Sequence, residues 1–225
     1  MDKKVYTLIE NYMLASMCDS AHDKDHVYRV LYTAMEIASS CGGVNKDILI
    51  AACLLHDIGR KEQLEDPTLC HATVGADKAY AFLTENGFDP EFAESVKACI
   101  QTHRFRKNSQ PQSIEAKILF DADKLDVSGA IGIARTLVYK GTISDPLYSL
   151  NQDGTVSDGS GDEKPSFFQE YKYKLEKLYS NFYTGKGAQM ANERRQAAVD
   201  FYESLYKEMC SSYGDGKTEL ENYII

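Results

Sequence analysis

Apolar residues recur at helical spacing along nearly the whole chain, and no stretch sustains a two-residue alternation between turn dipeptides. That pattern leaves helices packed on helices as the fold class. Val5, Leu8, Ile9, Tyr12 and Met13 mark a first amphipathic helix. A second starts near Asp25, carries Val27, Val30, Leu31, Ala34, Met35 and Ala38 on one side, and stops at Gly42-Gly43. Asp47 is placed to cap a third over 48–57, with Gly59 as its stop. This helix is apolar on almost every side, the mark of a core helix. Further helices are expected over 73–86, 90–102, 114–124, 127–139, 167–183 and 188–210. The expectation is one all-α domain over 1–225, with a core at 21–140 and a helical C-terminal extension at 165–210. Between them, 151–164 is rich in Gly, Ser and Asp and reads as a flexible surface loop. The stretch 211–225 reads as weakly anchored.

A chain of 225 residues is long enough for one sizeable core. Its longest apolar stretches, such as 48–55, are far too short to span a bilayer, and the start does not read as a secretory leader. A cytoplasmic location with no membrane partner is the expectation. Cys18, Cys41, Cys53, Cys70, Cys99 and Cys210 show no pairing motif and read as reduced, mostly small apolar residues. A formal net charge of −9 argues against a duplex nucleic-acid partner, whose phosphates need a basic footprint. It leaves a small phosphate substrate open, because a bound cation with nearby Arg or Lys reverses the field locally.

The strongest local signal is Leu54-Leu55-His56-Asp57-Ile58-Gly59. A carboxylate at the end of an apolar helix needs a cation or several hydrogen-bond donors. Alternatively, Asp57 caps the next turn and His56 is a satisfied core residue. His26 opens the second helix beside Val27 and can project inward or sit on the surface. In Asp121-Ala122-Asp123-Lys124-Leu125-Asp126 the carboxylates follow Ile118-Leu119-Phe120, so Asp121 or Asp123 shares the interior. A solvated acidic face is the other reading, and it suits Asp126 best.

The order His26, His56-Asp57, Asp123 resembles the signature of the HD-superfamily metal-dependent phosphohydrolases. Its flanks extend the likeness to a lone-domain bacterial branch. These are His22-Asp23 and Arg29-Val30 around His26, then Asp121 to Asp126 leading into Gly129 to Arg135. The tail Thr184-Gly185-Lys186 with Ala191 and Arg194 completes it. The resemblance covers about 21–208.

What the resemblance implies is an HD-type helical bundle holding one divalent ion, Mn²⁺, Fe²⁺, Ni²⁺, Co²⁺ or Mg²⁺, through His26, His56, Asp57 and Asp123. Two ions are possible, with His71 and His103 as further ligands. Otherwise those histidines serve as outer partners or proton donors, or are plain surface or capping residues. Asp123 or Asp121 orients the attacking water. Arg60, Lys61 and Lys124 are candidate phosphate contacts; Arg60 cannot act as a base, and a clamp is its natural role. The implied substrate is a nucleotide-type phosphoester or pyrophosphate linkage, hydrolysed by metal-activated water. A di-iron HD oxygenase and a non-catalytic metal- or nucleotide-binding regulatory module are the alternatives. Oligomeric state stays open.

Overall fold

The computed structural model describes residues 1–17, 24–104 and 110–224. Every regular element among them is helical, and the single β-bridge, Leu150 to Val156, belongs to no strand. In chain order the helices are α1 (Lys3–Ser16), α2 (Lys24–Ala38), α3 (Lys46–Leu55), α4 (Arg60–Glu65), α5 (His71–Glu85) and α6 (Pro90–Gln101). They continue with α7 (Ile114–Leu125), α8 (Gly129–Thr142), α9 (Phe167–Tyr173), α10 (Gly185–Ser211) and α11 (Lys217–Tyr223). No helix among the described residues is long and apolar enough to cross a membrane.

The chain divides into two compact units, Met1–Asp126 with Phe182–Gly187, and Val127–Asn181 with Ala188–Ile225. The expected core of 21–140 therefore ran too far, because α8 belongs to the second unit.

In the first unit α3 lies against α1, α2, α6 and α7. Its Leu49, Ala51, Ala52, Cys53, Leu54 and Leu55 are all buried, as a helix apolar all round requires. Each such leucine contributes about 2 kcal/mol by leaving water. The cap of α3 is Asn45, not Asp47: the Asn45 side chain accepts from the Asp47 and Ile48 amides. The Asn45 amide in turn donates to the buried Glu115 carboxylate at 2.7 Å, tying the start of α3 to the start of α7.

The second unit has its own core, in which Phe167, Phe168, Tyr171 and Tyr202 are buried and the rings of Tyr171 and Tyr202 stack at 4.1 Å. The expected flexible loop proves to be part of it. Val156 and Ser157 are buried, and the Tyr202 hydroxyl donates to the Asp158 carbonyl. Gly159, at φ +86°, lets the chain approach so closely that a Cβ there would sit 2.3 Å from the Phe168 backbone. The expected helix over 167–183 stops at Tyr173, followed by a short 3₁₀ turn over Leu175–Lys177 and a left-handed Asn181 at φ +62°. At the C-terminus, a π turn over Ser212–Gly216 leads into α11, which buries no residue.

Candidate metal centre

α3 ends at Leu55, and His56 to Gly59 form a turn before α4 begins. The turn lies backbone against backbone on the first part of α5. A Cβ on Gly59 would stand 2.3 Å from the His71 carbonyl oxygen and 2.6 Å from the Gly75 nitrogen. Lys78 fixes the same turn, its ammonium donating to the Ile58 carbonyl at 2.8 Å and to Glu62 at 2.7 Å. So the break in the helix, not helical spacing, lets neighbouring His56 and Asp57 face one point, and the glycine contact brings His71 to them.

The two Asp57 oxygens face different partners. Oδ2 lies 3.5 Å from His26 Nε2 and 3.7 Å from His56 Nε2. Asp123 Oδ1 stands 3.5 Å from His26 Nε2 and 4.0 Å from His56 Nε2, which closes a first group of donors. Asp57 Oδ1 lies 3.4 Å from His71 Nε2 and 3.7 Å from His103 Nε2, a second group. Asp57 is fully buried, and its Oδ2 makes no hydrogen bond. The structure thus brings together His26, His56, Asp57, Asp123, His71 and His103. Burial of His71 and His103 removes the surface reading of both.

In all four imidazoles Nδ1 faces an oxygen: Asp126 Oδ2 for His26, the Cys53 carbonyl for His56, the Gln63 amide oxygen for His71, and the Ile100 carbonyl for His103. Those contacts place the ring protons on Nδ1 and turn Nε2 lone pairs inward. Two such atoms meet at 3.3 Å in each group, His26 with His56 and His71 with His103. Two facing lone pairs would repel, and a positive charge between the nitrogens, a proton or a metal ion, relieves that repulsion.

The local electrostatics supply that charge unevenly. Burial by itself would lower the pKa of His26, but its bond to Asp126 and the carboxylates of Asp57 and Asp123 raise it to about 9. Burial also opposes charge on Asp57, yet His56, Arg60 and His26 hold it well below the usual carboxylate range. Burial, then Arg60, pushes His71 far down, while burial and His56 take His103 down to about 4. These histidines are neutral nitrogen donors at ordinary pH. The first group favours a cation, and a bare buried carboxylate oxygen among imidazole lone pairs fits a divalent ion.

A family model described as HD domain matches residues 24–128. YpgQ of Bacillus subtilis (strain 168) is 30% identical over 197 residues, covering 84% of this chain and 85% of YpgQ. This chain belongs to the HD-domain family. The crystal structure of Bacillus subtilis YpgQ in complex with ADP is similar at a TM-score of 0.70 and 26% identity, over 91% of this chain and 97% of that one. An HD-superfamily hydrolase from Bacillus thuringiensis aligns with a TM-score of 0.66 at 28% identity, over 92% and 95% of the two chains. The protein therefore has the fold of HD-superfamily hydrolases, a family that binds divalent metals, and its His/Asp cluster can hold one. His22 and Asp23, which the sequence resemblance also invoked, lie outside the described residues.

Within this HD domain several candidates take other places. Asp121 is buried, and its carboxylate accepts the Tyr183 and Thr184 amides and the Thr184 hydroxyl, all within 3.1 Å. It anchors the returning segment Phe182–Gly187 on α7, so orienting a water is not its place. Lys124 holds its ammonium 4.5 Å from the Phe182 ring centre and 5.7 Å from that of Phe120, and burial lowers its pKa. Lys61 is exposed. It stands four residues after Asp57, and the turn over 56–59 removes the helical register that would bring it to the site. Arg60 does reach inward, with Nε 3.0 Å from Asp57 Oδ1.

Three contributors went unread. Asp126, taken for a solvated residue, is buried and accepts from His26 Nδ1 at 2.7 Å, while Arg29 donates to both its oxygens at 2.8 and 3.1 Å. Its spacing of three from Asp123 on α7 was the available signal. Gln63 accepts from His71. Arg104, just after His103, lies near enough to depress His71 further. Asp126→Asn removes the charged partner of a metal-facing imidazole. It is expected to weaken Mn²⁺ binding by roughly 10–100-fold while the protein stays folded, as read by calorimetric titration. Unchanged affinity would show that Asp126 does not support the ligand.

Proposed function

We propose that this HD-domain protein is a metal-dependent phosphohydrolase acting on nucleotide-type phosphoester or pyrophosphate linkages. The observation that carries the reading is the inward convergence of Nε2 atoms on a buried Asp57 carboxylate whose Oδ2 has no hydrogen bond. His26, His56, Asp57 and Asp123 hold the ion. Mn²⁺, Fe²⁺, Co²⁺, Ni²⁺ or Mg²⁺ suits that mixed nitrogen and oxygen set. Once bound, the ion supplies charge for a phosphate oxygen and a lowered pKa for its water.

The chain's own side chains do the rest. Asp123, about a quarter exposed, is the carboxylate of the set that water reaches, and it accepts the proton of an attacking water. Arg60, about a fifth exposed beside Asp57, presents a planar fork to phosphate oxygens, and Arg104 adds positive charge next to His103. His71 and His103 carry their protons on Nδ1 and present bare Nε2 atoms, so they accept or ligate; the proton donor for the leaving group is not one of them. Support for a nucleotide comes from YpgQ, crystallised with ADP.

The test is a screen of nucleoside mono-, di- and triphosphates and cyclic dinucleotides against several divalent ions, with products separated by chromatography. The expected result is ion-dependent release of a phosphate-containing product by wild type and none by His56→Ala. Turnover equal in the folded His56→Ala protein and wild type overturns the mechanism. The second donor group around Asp57 also suits a di-iron oxygenase. Two irons per anaerobically purified chain with oxygen consumption would favour that alternative, and tight nucleotide binding without product over hours would favour a regulatory module.

A further inference from the structure

The second donor group differs from the first in one respect that bears on how many ions the protein holds. Asp57 Oδ1, its one carboxylate corner among the described residues, already accepts a hydrogen bond from Arg60 Nε at 3.0 Å. The same oxygen lies 3.4 Å from His71 Nε2 and 3.7 Å from His103 Nε2. The guanidinium is also held from its other side, where Nη1 donates to Gln63 Oε1 at 3.4 Å. That amide oxygen is the one that accepts from His71 Nδ1 at 2.7 Å. Arginine stays protonated at any working pH. A permanent positive charge therefore stands at the oxygen a second cation needs.

The first group is composed differently. Two carboxylate oxygens and two imidazole nitrogens meet there, and the outer partner of His26 is a carboxylate, whereas that of His71 is a neutral amide. Both the inner and the outer donors make the first position the more anionic.

We propose that Arg60 stands in for a second divalent ion, so that the protein binds one ion tightly and admits another at Asp57, His71 and His103 only when the guanidinium leaves Asp57 Oδ1. The occupant that draws it away is a phosphate group. Phosphate oxygens offer the guanidinium a bidentate partner, and the side chain is partly exposed, so it has a way out toward ligand. Phosphate binding and second-ion binding are then linked, and each tightens the other by the same factor. The inference rests on the phosphohydrolase reading, and it concerns which ion arrives when, not whether the first binds.

The experiment is Mn²⁺ binding to the metal-stripped, full-length protein, by equilibrium dialysis with elemental analysis, repeated with inorganic phosphate. Electron paramagnetic resonance at saturating Mn²⁺ reports spin-coupled pairs independently of turnover. Wild type is expected to hold one Mn²⁺ per chain tightly and a second at least about tenfold more weakly, with phosphate narrowing that gap. Arg60→Gln is expected to tighten the second step by about tenfold or more, show the coupled signal without phosphate, and leave the first step unchanged. Arg60→Lys, which keeps the charge, is expected to keep the second step weak.

Two equal ions in wild type, one ion in Arg60→Gln, or Arg60→Lys matching Arg60→Gln would each overturn the role of Arg60 while leaving the first site standing. Absence of any bound Mn²⁺ in wild type would instead sink the metal-dependent reading beneath it.

Discussion

Asp57→Asn is expected to lower ion-dependent phosphohydrolysis by on the order of 10³-fold, because bound metal is worth several kcal/mol of transition-state stabilisation and each 1.36 kcal/mol is a factor of ten. One carboxylate serves both donor groups, Oδ2 toward His26 and His56 and Oδ1 toward His71 and His103. Its replacement by a near-isosteric amide costs each group its shared corner. The loss must be separated from unfolding. His56, Arg60 and His26 hold the Asp57 carboxylate ionised in the folded protein, so its charge is stabilising at neutral pH, and in chelator Asp57→Asn is expected to stay folded but melt below wild type. Adding Mn²⁺ at about 100 times its dissociation constant stabilises wild type by roughly 2.7 kcal/mol and should leave the variant's melting point unmoved. A variant that still melts higher in Mn²⁺ and still turns over would show that the ion sits elsewhere.

The division between what the sequence displays and what it hides follows from how far apart the partners are. α3 was legible because its apolar residues surround it, and a helix with no polar face has only the interior to occupy. His26, His56, Asp57 and Asp123 were legible as a family pattern, although His56 and Asp57 converge through a turn that periodicity does not report. His71 and His103 could not be placed, since their approach depends on Gly59 meeting Gly75, a contact between two backbones that leaves no trace in hydrophobic spacing. The interior place of Asp121 was legible but its role was not, and Asp126 was read as solvated, for a similar reason. Their partners are the Tyr183 and Thr184 amides in one case and His26 with Arg29 in the other, all distant along the chain. The segment 167–183 carried a continuous helical pattern, yet the chain leaves it at Lys174, and its far end is held by the Asp121 anchor. Local propensity cannot weigh a buried carboxylate sixty residues away.

Gly59→Ala is expected to destabilise the protein by roughly 2–4 kcal/mol, a large effect for one methyl group. The added carbon would lie 2.3 Å from the His71 carbonyl oxygen and 2.6 Å from the Gly75 nitrogen, and neither is a side-chain end that can swing aside. The turn over 56–59 and the start of α5 must separate. Backbone freedom is not the cause, since Gly59 has φ −93°, which alanine adopts without strain. Gly42→Ala makes the control: the same exchange meets nothing within 4 Å and is expected to change stability by no more than a few tenths of a kcal/mol. Denaturant unfolding of the two variants beside wild type measures the difference. The separation should also fall unequally on the two donor groups. His26, His56 and Asp123 do not ride on α5, so the first ion should bind Gly59→Ala within a few-fold of wild type. His71 does ride on it, and moving that nitrogen by about 1 Å is enough to cost on the order of 10²-fold where geometry is critical. Wild-type stability in Gly59→Ala would mean that the turn and α5 do not touch as described, and His71 would then lose its place beside Asp57.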